Sequence, residues 1–267
     1  MKIGIFDSGL GGLIIAKAII KKLPAYDYVY LGDTKNLPYG KKSPAQIYRY
    51  TQAAVDFLFA RDCELIIIAC NTSSALALRK IQQKYLPKKY PNRRVLGVVV
   101  PTLEAADDHH RHKKIGIIAT EATVKWSHIY KKELRKLDNK AKIFELATPK
   151  LVELIEQNAL PKAQNALKSY LATLQKQGIE ALILGCTHYP ILKQSAKKIL
   201  GPKVAIISQD EIIPNKLAGY LKRHPEIRKK LSKNRSQKFL ITKNGRNFQA
   251  VSKRLFGKNL NFQQVNY

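Results

Sequence analysis

Short apolar runs alternate with amphipathic stretches along almost the whole chain. Segments 2–6, 28–31, 65–69, 95–99, 114–119, 142–146, 181–184 and 204–207 predict strands. Several of them, such as Leu65-Ile-Ile-Ile-Ala69, are continuously apolar rather than alternating. A continuous run suits a parallel strand covered on both faces. The intervening stretches 12–22, 44–60, 73–85, 102–109, 122–137, 149–157, 161–177, 190–200 and 212–223 predict helices. Ser43 before Pro44 is a good helix start: a hydroxyl to cap free N–H groups, then a residue with no N–H. The tail reads as strand 239–242, helix 246–256 and strand 260–265.

Such alternation predicts an α/β protein with mainly parallel sheets. Pro101 follows a strand and marks a crossing between lobes, and the chain returns to the first lobe near 208–215. The expected organisation is a first lobe of residues 1–97 plus 210–267 and a second of residues 98–209. Ligands of open parallel sheets bind beyond the carboxyl ends of the strands. That rule groups four distant polar turns: Asp7-Ser8-Gly9, Asp33-Thr34 through Tyr39-Gly40, Cys70-Asn71-Thr72 and Cys186-Thr187-His188. They converge if the two lobes face each other.

Two of these turns match. Glu64-Leu-Ile-Ile-Ile-Ala-Cys70 and Glu180-Ala-Leu-Ile-Leu-Gly-Cys186 are apolar runs ending in a cysteine and a polar helix start. Two thiols aimed at one carbon suit taking a proton from one face and returning one to the other. A free thiol is mostly protonated near neutral pH, and a following helix N-terminus is expected to lower its pKa. Asp7 is placed to shuttle a proton near Cys70, and His188 near Cys186. Ser8, Asn71, Thr72 and Thr187 offer hydroxyl and amide groups to a carboxylate or ammonium. The glycines of Asp7-Ser-Gly-Leu-Gly-Gly12 permit a tight turn and close approach to a small anion. The turn lacks the Lys-Ser/Thr of a phosphate-binding P-loop.

Composition narrows the class. Three cysteines, an odd number with no Cys-x-x-Cys, argue against a disulfide scaffold or a structural zinc site. Cys63 has no polar context and reads as structural. His109-His110-x-His112 reads as solvated surface rather than a metal site. No apolar run reaches the roughly 18–20 residues that span a bilayer. The start Met1-Lys-Ile-Gly-Ile-Phe-Asp7 sets an acid where a signal peptide needs its apolar core, so a cytoplasmic protein is expected. The balance of 48 Lys+Arg against 19 Asp+Glu gives +29. That charge raises a rival reading as a nucleic-acid or polyanion binder. The basic residues are scattered, however; the densest stretch, 222–238, carries eight Lys/Arg and one Glu.

Six segments in order carry a resemblance. They are Phe6-Asp-Ser-Gly-Leu-Gly-Gly12, Gly32-Asp-Thr-Lys-Asn-Leu-Pro-Tyr-Gly40, Ala69-Cys-Asn-Thr-Ser-Ser-Ala75, Gly97-Val-Val-Val-Pro101, Ala119-Thr-Glu-Ala-Thr123 and Gly185-Cys-Thr-His-Tyr-Pro190. Over nearly its whole length the chain resembles the glutamate racemases of the aspartate/glutamate racemase superfamily. The resemblance implies two similar α/β lobes with the active site in the cleft between them. It implies interconversion of L- and D-glutamate without pyridoxal phosphate, metal or other cofactor. It makes Cys70 the base toward D-glutamate, Cys186 the base toward L-glutamate, and Asp7 and His188 their helpers. Ser8, Pro38, Tyr39, Gly40, Asn71, Thr72, Thr120, Thr123 and Thr187 match substrate-contacting positions. A homodimer and a role in bacterial peptidoglycan synthesis are further implications, with aspartate racemisation as the rival within the class.

Two departures stand out. Where the family often has Ala-Cys-Pro ahead of Val-Pro-x-Val-Glu, this chain reads Ala147-Thr-Pro-Lys-Leu-Val-Glu-Leu-Ile-Glu156. Spacing puts Glu156 in the place of the family's functional acid and Glu153 in that of its second proline. The charge also exceeds what the family leads one to expect. The first strand begins almost at residue 1, so activation by a cell-wall precursor, found in members with an N-terminal extension, is not expected.

Overall fold

A computed structural model describes residues 1–107, 113–137, 140–245 and 247–267. His109, His110 and His112 lie outside the described residues. Among the described residues, ten strands form two sheets: β1 (Lys2–Asp7), β2 (Tyr28–Gly32), β3 (Cys63–Ile68), β4 (Arg94–Gly97), β5 (Lys114–Ala119), β6 (Lys142–Ala147), β7 (Ala181–Gly185), β8 (Ala205–Ile207), β9 (Gln237–Ile241) and β10 (Phe262–Gln264). One sheet has the order β10-β9-β2-β1-β3-β4 and the other β6-β5-β7-β8, and every pairing is parallel.

The continuous apolar runs follow from burial on both faces. In β3, Leu65 and Ile67 enter one hydrophobic cluster while Ile66 and Ile68 enter another. In β7, Ala181 and Ile183 face one side, and Leu182 and Leu184 the other. Each fully buried Ile or Leu contributes about 1.5–3 kcal/mol of hydrophobic stabilisation, so every position of such a strand is held apolar. Among the described residues, no helix is long and apolar enough to cross a membrane.

The helix Pro44–Phe59 starts as expected. Ser43 Oγ accepts from the Gln46 N–H, and the Gln46 side chain reaches back to the Ser43 N–H. Three expectations needed correction. The strand expected over 95–99 ends at Gly97, and a helix begins at Val99 with Pro101 in its first turn, where no N–H is needed. The helix expected over 73–85 begins at Asn71 and is broken at Ala77, beyond which a five-residue π turn spans Ile81–Tyr85. The helix expected over 122–137 is a π turn, Thr123–Ser127, then a left-handed residue, His128, then a helix, Ile129–Leu137.

The carboxyl ends of the strands carry the polar turns. Asp7 ends β1, Asp33 follows β2, Thr120 follows β5, Thr148 follows β6, and Cys70 and Cys186 lie just past β3 and β7.

Candidate active site

A single cavity of about 590 Å³, its open mouth included, brings the two cysteine turns together. Ser8, Pro38, Tyr39, Gly40, Cys70, Asn71 and Thr72 line it from the first sheet's side, and Thr120, Cys186, Thr187 and His188 from the second's. Of the site residues singled out in the sequence, only Asp7, Thr123 and Glu156 are not among its lining residues.

Cys70 caps the short helix Asn71–Leu76. Its Sγ accepts from the Ser73 N–H at 3.5 Å and lies 3.3 Å from Ser8 Oγ. Burial nevertheless pushes the Cys70 thiol up, and the Asp7 charge pushes it further; the bonds from Ser8 and Ser73 only partly offset this. At Cys70 the lowering expected from the helix start is outweighed: an almost fully enclosed sulfur loses more by desolvation than one helical turn returns. Asp7 is fully buried, and its carboxylate accepts from the Gly9 N–H at 3.0 Å and from Thr187 Oγ1 at 3.2 Å. Its bonds thus tie the first lobe's turn to the second lobe, and Ser8 is the hydrogen-bonding neighbour of Cys70. Burial holds the Asp7 carboxyl above its usual range.

On the other wall, His188 Nδ1 lies 3.6 Å from Cys186 Sγ, and His188 Nε2 lies 2.6 Å from Glu156 Oε1. Burial disfavours the charged ring, but the Cys186 sulfur and the Glu156 carboxylate together hold the imidazole pKa well above its usual range. Glu156 Oε1 also accepts from the Leu10 N–H at 3.3 Å, which places a second tie across the cleft. Glu153 lines the mouth instead, 3.6 Å from Lys41. Glu156 is the acid behind the histidine, and Glu153 the acid at the opening.

Three hydroxyls close the back. Thr72 and Thr120 Oγ1 are 2.9 Å apart, Thr120 and Thr123 also 2.9 Å, and Thr123 donates to Thr72 at 3.3 Å. Thr123 stands behind the lining residues. Leu37, Lys41, Glu121, Thr148, Pro149 and Val152 also line the cleft, and sequence reasoning did not assign them to it. Lys41 follows Gly40 directly, so adjacency to the Tyr39-Gly40 turn was the available signal. Cys63 is buried away from this cleft, and its thiol is pushed up to about 12, largely by burial.

A cleft between two parallel sheets, walled on each side by a cysteine with polar neighbours, is the layout of an α/β enzyme with its site between two lobes. Comparison with known proteins gives the class its name. The Asp/Glu/Hydantoin racemase profile matches residues 13–212. A glutamate racemase of Ruegeria pomeroyi is 38% identical over 240 residues, covering 85% of this chain and 88% of that protein. The structure of a Bacillus anthracis glutamate racemase superposes with a TM-score of 0.88 at 33% identity, covering 99% of this chain and 97% of that one. That of the Francisella tularensis glutamate racemase in complex with D-glutamate gives 0.88 at 32% identity, with the same coverage. The chain belongs to the Asp/Glu/Hydantoin racemase family and is an amino-acid racemase.

Proposed function

We propose that this enzyme interconverts L- and D-glutamate by a two-thiol proton transfer at Cα. The observation that carries the reading is that Cys70 and Cys186 line one cavity from its two sides. In the L-to-D direction, the Cys186 thiolate removes the Cα proton and Cys70 delivers its own to the opposite face. Burial and the Asp7 charge hold the Cys70 thiol toward its protonated form, and the His188 ring, with its raised pKa, lies 3.6 Å from the Cys186 sulfur, where it can hold or return a proton. In the reverse direction the roles exchange. Glu156 holds the imidazolium, and Asp7 acts on Cys70 through its charge.

Substrate contacts fall to Ser8, Pro38, Tyr39, Gly40, Asn71, Thr72, Thr120 and Thr187, with Thr123 supporting the hydroxyls from behind. The lobe division into 1–97 with 210–267 and 98–209 belongs to the same reading, supported by the membership of the two sheets. So do a homodimer and a cytoplasmic role supplying D-glutamate for peptidoglycan, both implied by the likeness to glutamate racemases.

Racemisation in deuterated water, with no cofactor added, tests the mechanism. Product glutamate is expected to carry deuterium at Cα while the remaining substrate initially carries little. Equal early labelling of both enantiomers indicates one shared base and defeats the two-thiol reading. Activity on aspartate but not glutamate defeats the substrate assignment, and full activity in both Cys70→Ser and Cys186→Ser defeats the thiol roles.

A further inference from the structure

Asn71 sits beside Cys70 and lines the cleft, but most of its polar capacity is engaged elsewhere. Its Nδ2 donates to Gln209 Oε1 at 2.8 Å, and its Oδ1 accepts from Gln209 Nε2 at 2.7 Å. The same Oδ1 accepts from the Tyr130 hydroxyl at 2.8 Å. All three side chains are buried: Gln209 has no exposed surface, Tyr130 has 1% and Asn71 2%. A carboxamide has two oxygen lone pairs and two N–H groups. Here both lone pairs and one N–H are committed. Among the described residues the second N–H has no hydrogen-bond partner, and Asn71 lines the cleft.

We propose that Gln209 is a positioning residue: with Tyr130 it fixes the Asn71 carboxamide so that Asn71 meets the substrate only as a hydrogen-bond donor. The group it meets must therefore be an acceptor, a carboxylate rather than the ammonium. The inference rests on the reading of Asn71 as a substrate contact. The three residues come from distant parts of the chain. Asn71 starts the helix after β3, Gln209 starts the helix Gln209–Arg223, and Tyr130 lies in the helix Ile129–Leu137. The paired hydrogen bonds between the amides lock their planes, and the tyrosine decides which end of Asn71 is oxygen. An amide free to turn over presents either end with similar ease; a clamped one presents a single end and needs no reordering when substrate arrives.

The test compares the unmodified enzyme with Gln209→Glu and Gln209→Leu, measuring KM and kcat for both glutamate enantiomers from pH 6 to 9. In Gln209→Glu the ionised side chain has the shape of glutamine but only accepts, so it faces the Asn71 oxygen without a proton to offer. KM is expected to rise about tenfold for both enantiomers, the scale of one buried hydrogen bond, with a smaller change in kcat. When protonated, the same introduced carboxyl offers an O–H and a C=O in place of the amide. The ratio of mutant to unmodified KM is therefore expected to fall as pH is lowered, which a merely space-filling role does not produce. Gln209→Leu removes both bonds and is expected to raise KM at every pH. A folded Gln209→Leu with unchanged KM overturns the assignment. If that variant fails to fold, a Gln209→Glu KM ratio of one at all pH values overturns it. Lack of glutamate racemisation by the unmodified protein is a different result and overturns the functional reading beneath it.

Discussion

The His188 ring is held at both nitrogens: Nε2 lies 2.6 Å from Glu156 Oε1, and Nδ1 lies 3.6 Å from Cys186 Sγ. The carboxylate stands on the far side of the ring from the thiol. Its negative charge favours the imidazolium, the form that carries a proton beside Cys186. Glu156→Gln keeps the shape and removes the charge. The expected outcome is a fall in kcat/KM of about a hundredfold, the low end of what a positioned acid–base group supplies. The fall must be equal in both directions, because enantiomers have an equilibrium constant of one. The asymmetry appears in isotope effects instead. Proton removal from L-glutamate by Cys186 becomes the slower step, so the primary effect with Cα-deuterated L-glutamate grows relative to the D-enantiomer. Kinetics with both deuterated enantiomers check this, and unchanged isotope effects refute it.

The same ring makes stability depend on pH. The folded His188 pKa is raised well above 6.5, so the folded state binds a proton that the unfolded chain releases earlier. Its contribution is fully present below about pH 6.5 and is lost as pH rises through the higher folded value. Asp7, also raised, contributes with the same sign in a lower window that begins near its ordinary 3.8. Urea midpoints for the unmodified protein are expected to fall on the alkaline side of pH 6.5, and Glu156→Gln to show a flatter profile there. A midpoint that rises with pH in both proteins contradicts the assignment.

Much of this site is legible in the sequence, for a physical reason. Strands buried on both faces are continuously apolar, so β3 and β7 stand out, and the polar residue that ends each is conspicuous. Cys70 and Cys186 were legible as a pair on that basis. Relations across the fold were not. Asn71 and Gln209 are 138 positions apart, and no local pattern marks Gln209 as a partner. Asp7 reaches Cys70 through its charge, while its acceptor oxygens bond Gly9 and Thr187 and Ser8 is the hydrogen-bonding neighbour of the sulfur. The apolar periodicity of 122–137 hid a π turn and the left-handed His128, because apolar spacing does not report the backbone hydrogen-bond pattern.

Lys41 and Glu153 form a pair of a different kind at the cleft mouth. They are 3.6 Å apart, and their side chains are 59% and 56% exposed. Such a pair adds little to stability, since solvent screens it. Among the described residues that line the cleft, Lys41 alone is a lysine or arginine. Its charge is available to an anionic substrate for the loss of only a weak ion pair. Lys41→Met is expected to raise KM for glutamate severalfold in dilute buffer while leaving thermal stability nearly unchanged. The difference should shrink toward about 1 M salt, where the screening length is about 3 Å. Measuring KM against sodium chloride in both proteins decides it: a salt-independent ratio implies lost packing rather than lost charge.

Gly11 shows how tightly the lobes meet. Its backbone is helical, with φ −57° and ψ −36°, so no special conformation demands glycine there. Gly11 is the N-cap of the helix Gly12–Lys22, where alanine caps less well than glycine, but the larger obstacle to a side chain is space. A Cβ on Gly11 would lie 2.5 Å from His188 Nδ1 and 2.6 Å from Thr187 Oγ1, closer than real Cβ contacts come. The ring cannot simply swing aside, because Glu156 holds its other nitrogen, and Thr187 is itself bonded to Asp7. Either the imidazole leaves Cys186 or the lobes part. Gly11→Ala is therefore expected to lower kcat/KM by about a hundredfold, through the loss of one positioned acid–base group. Far-ultraviolet circular dichroism should show no loss of helix. A Gly11→Ala enzyme with normal kcat/KM would mean that the working cleft is wider at this point and that His188 acts from another position.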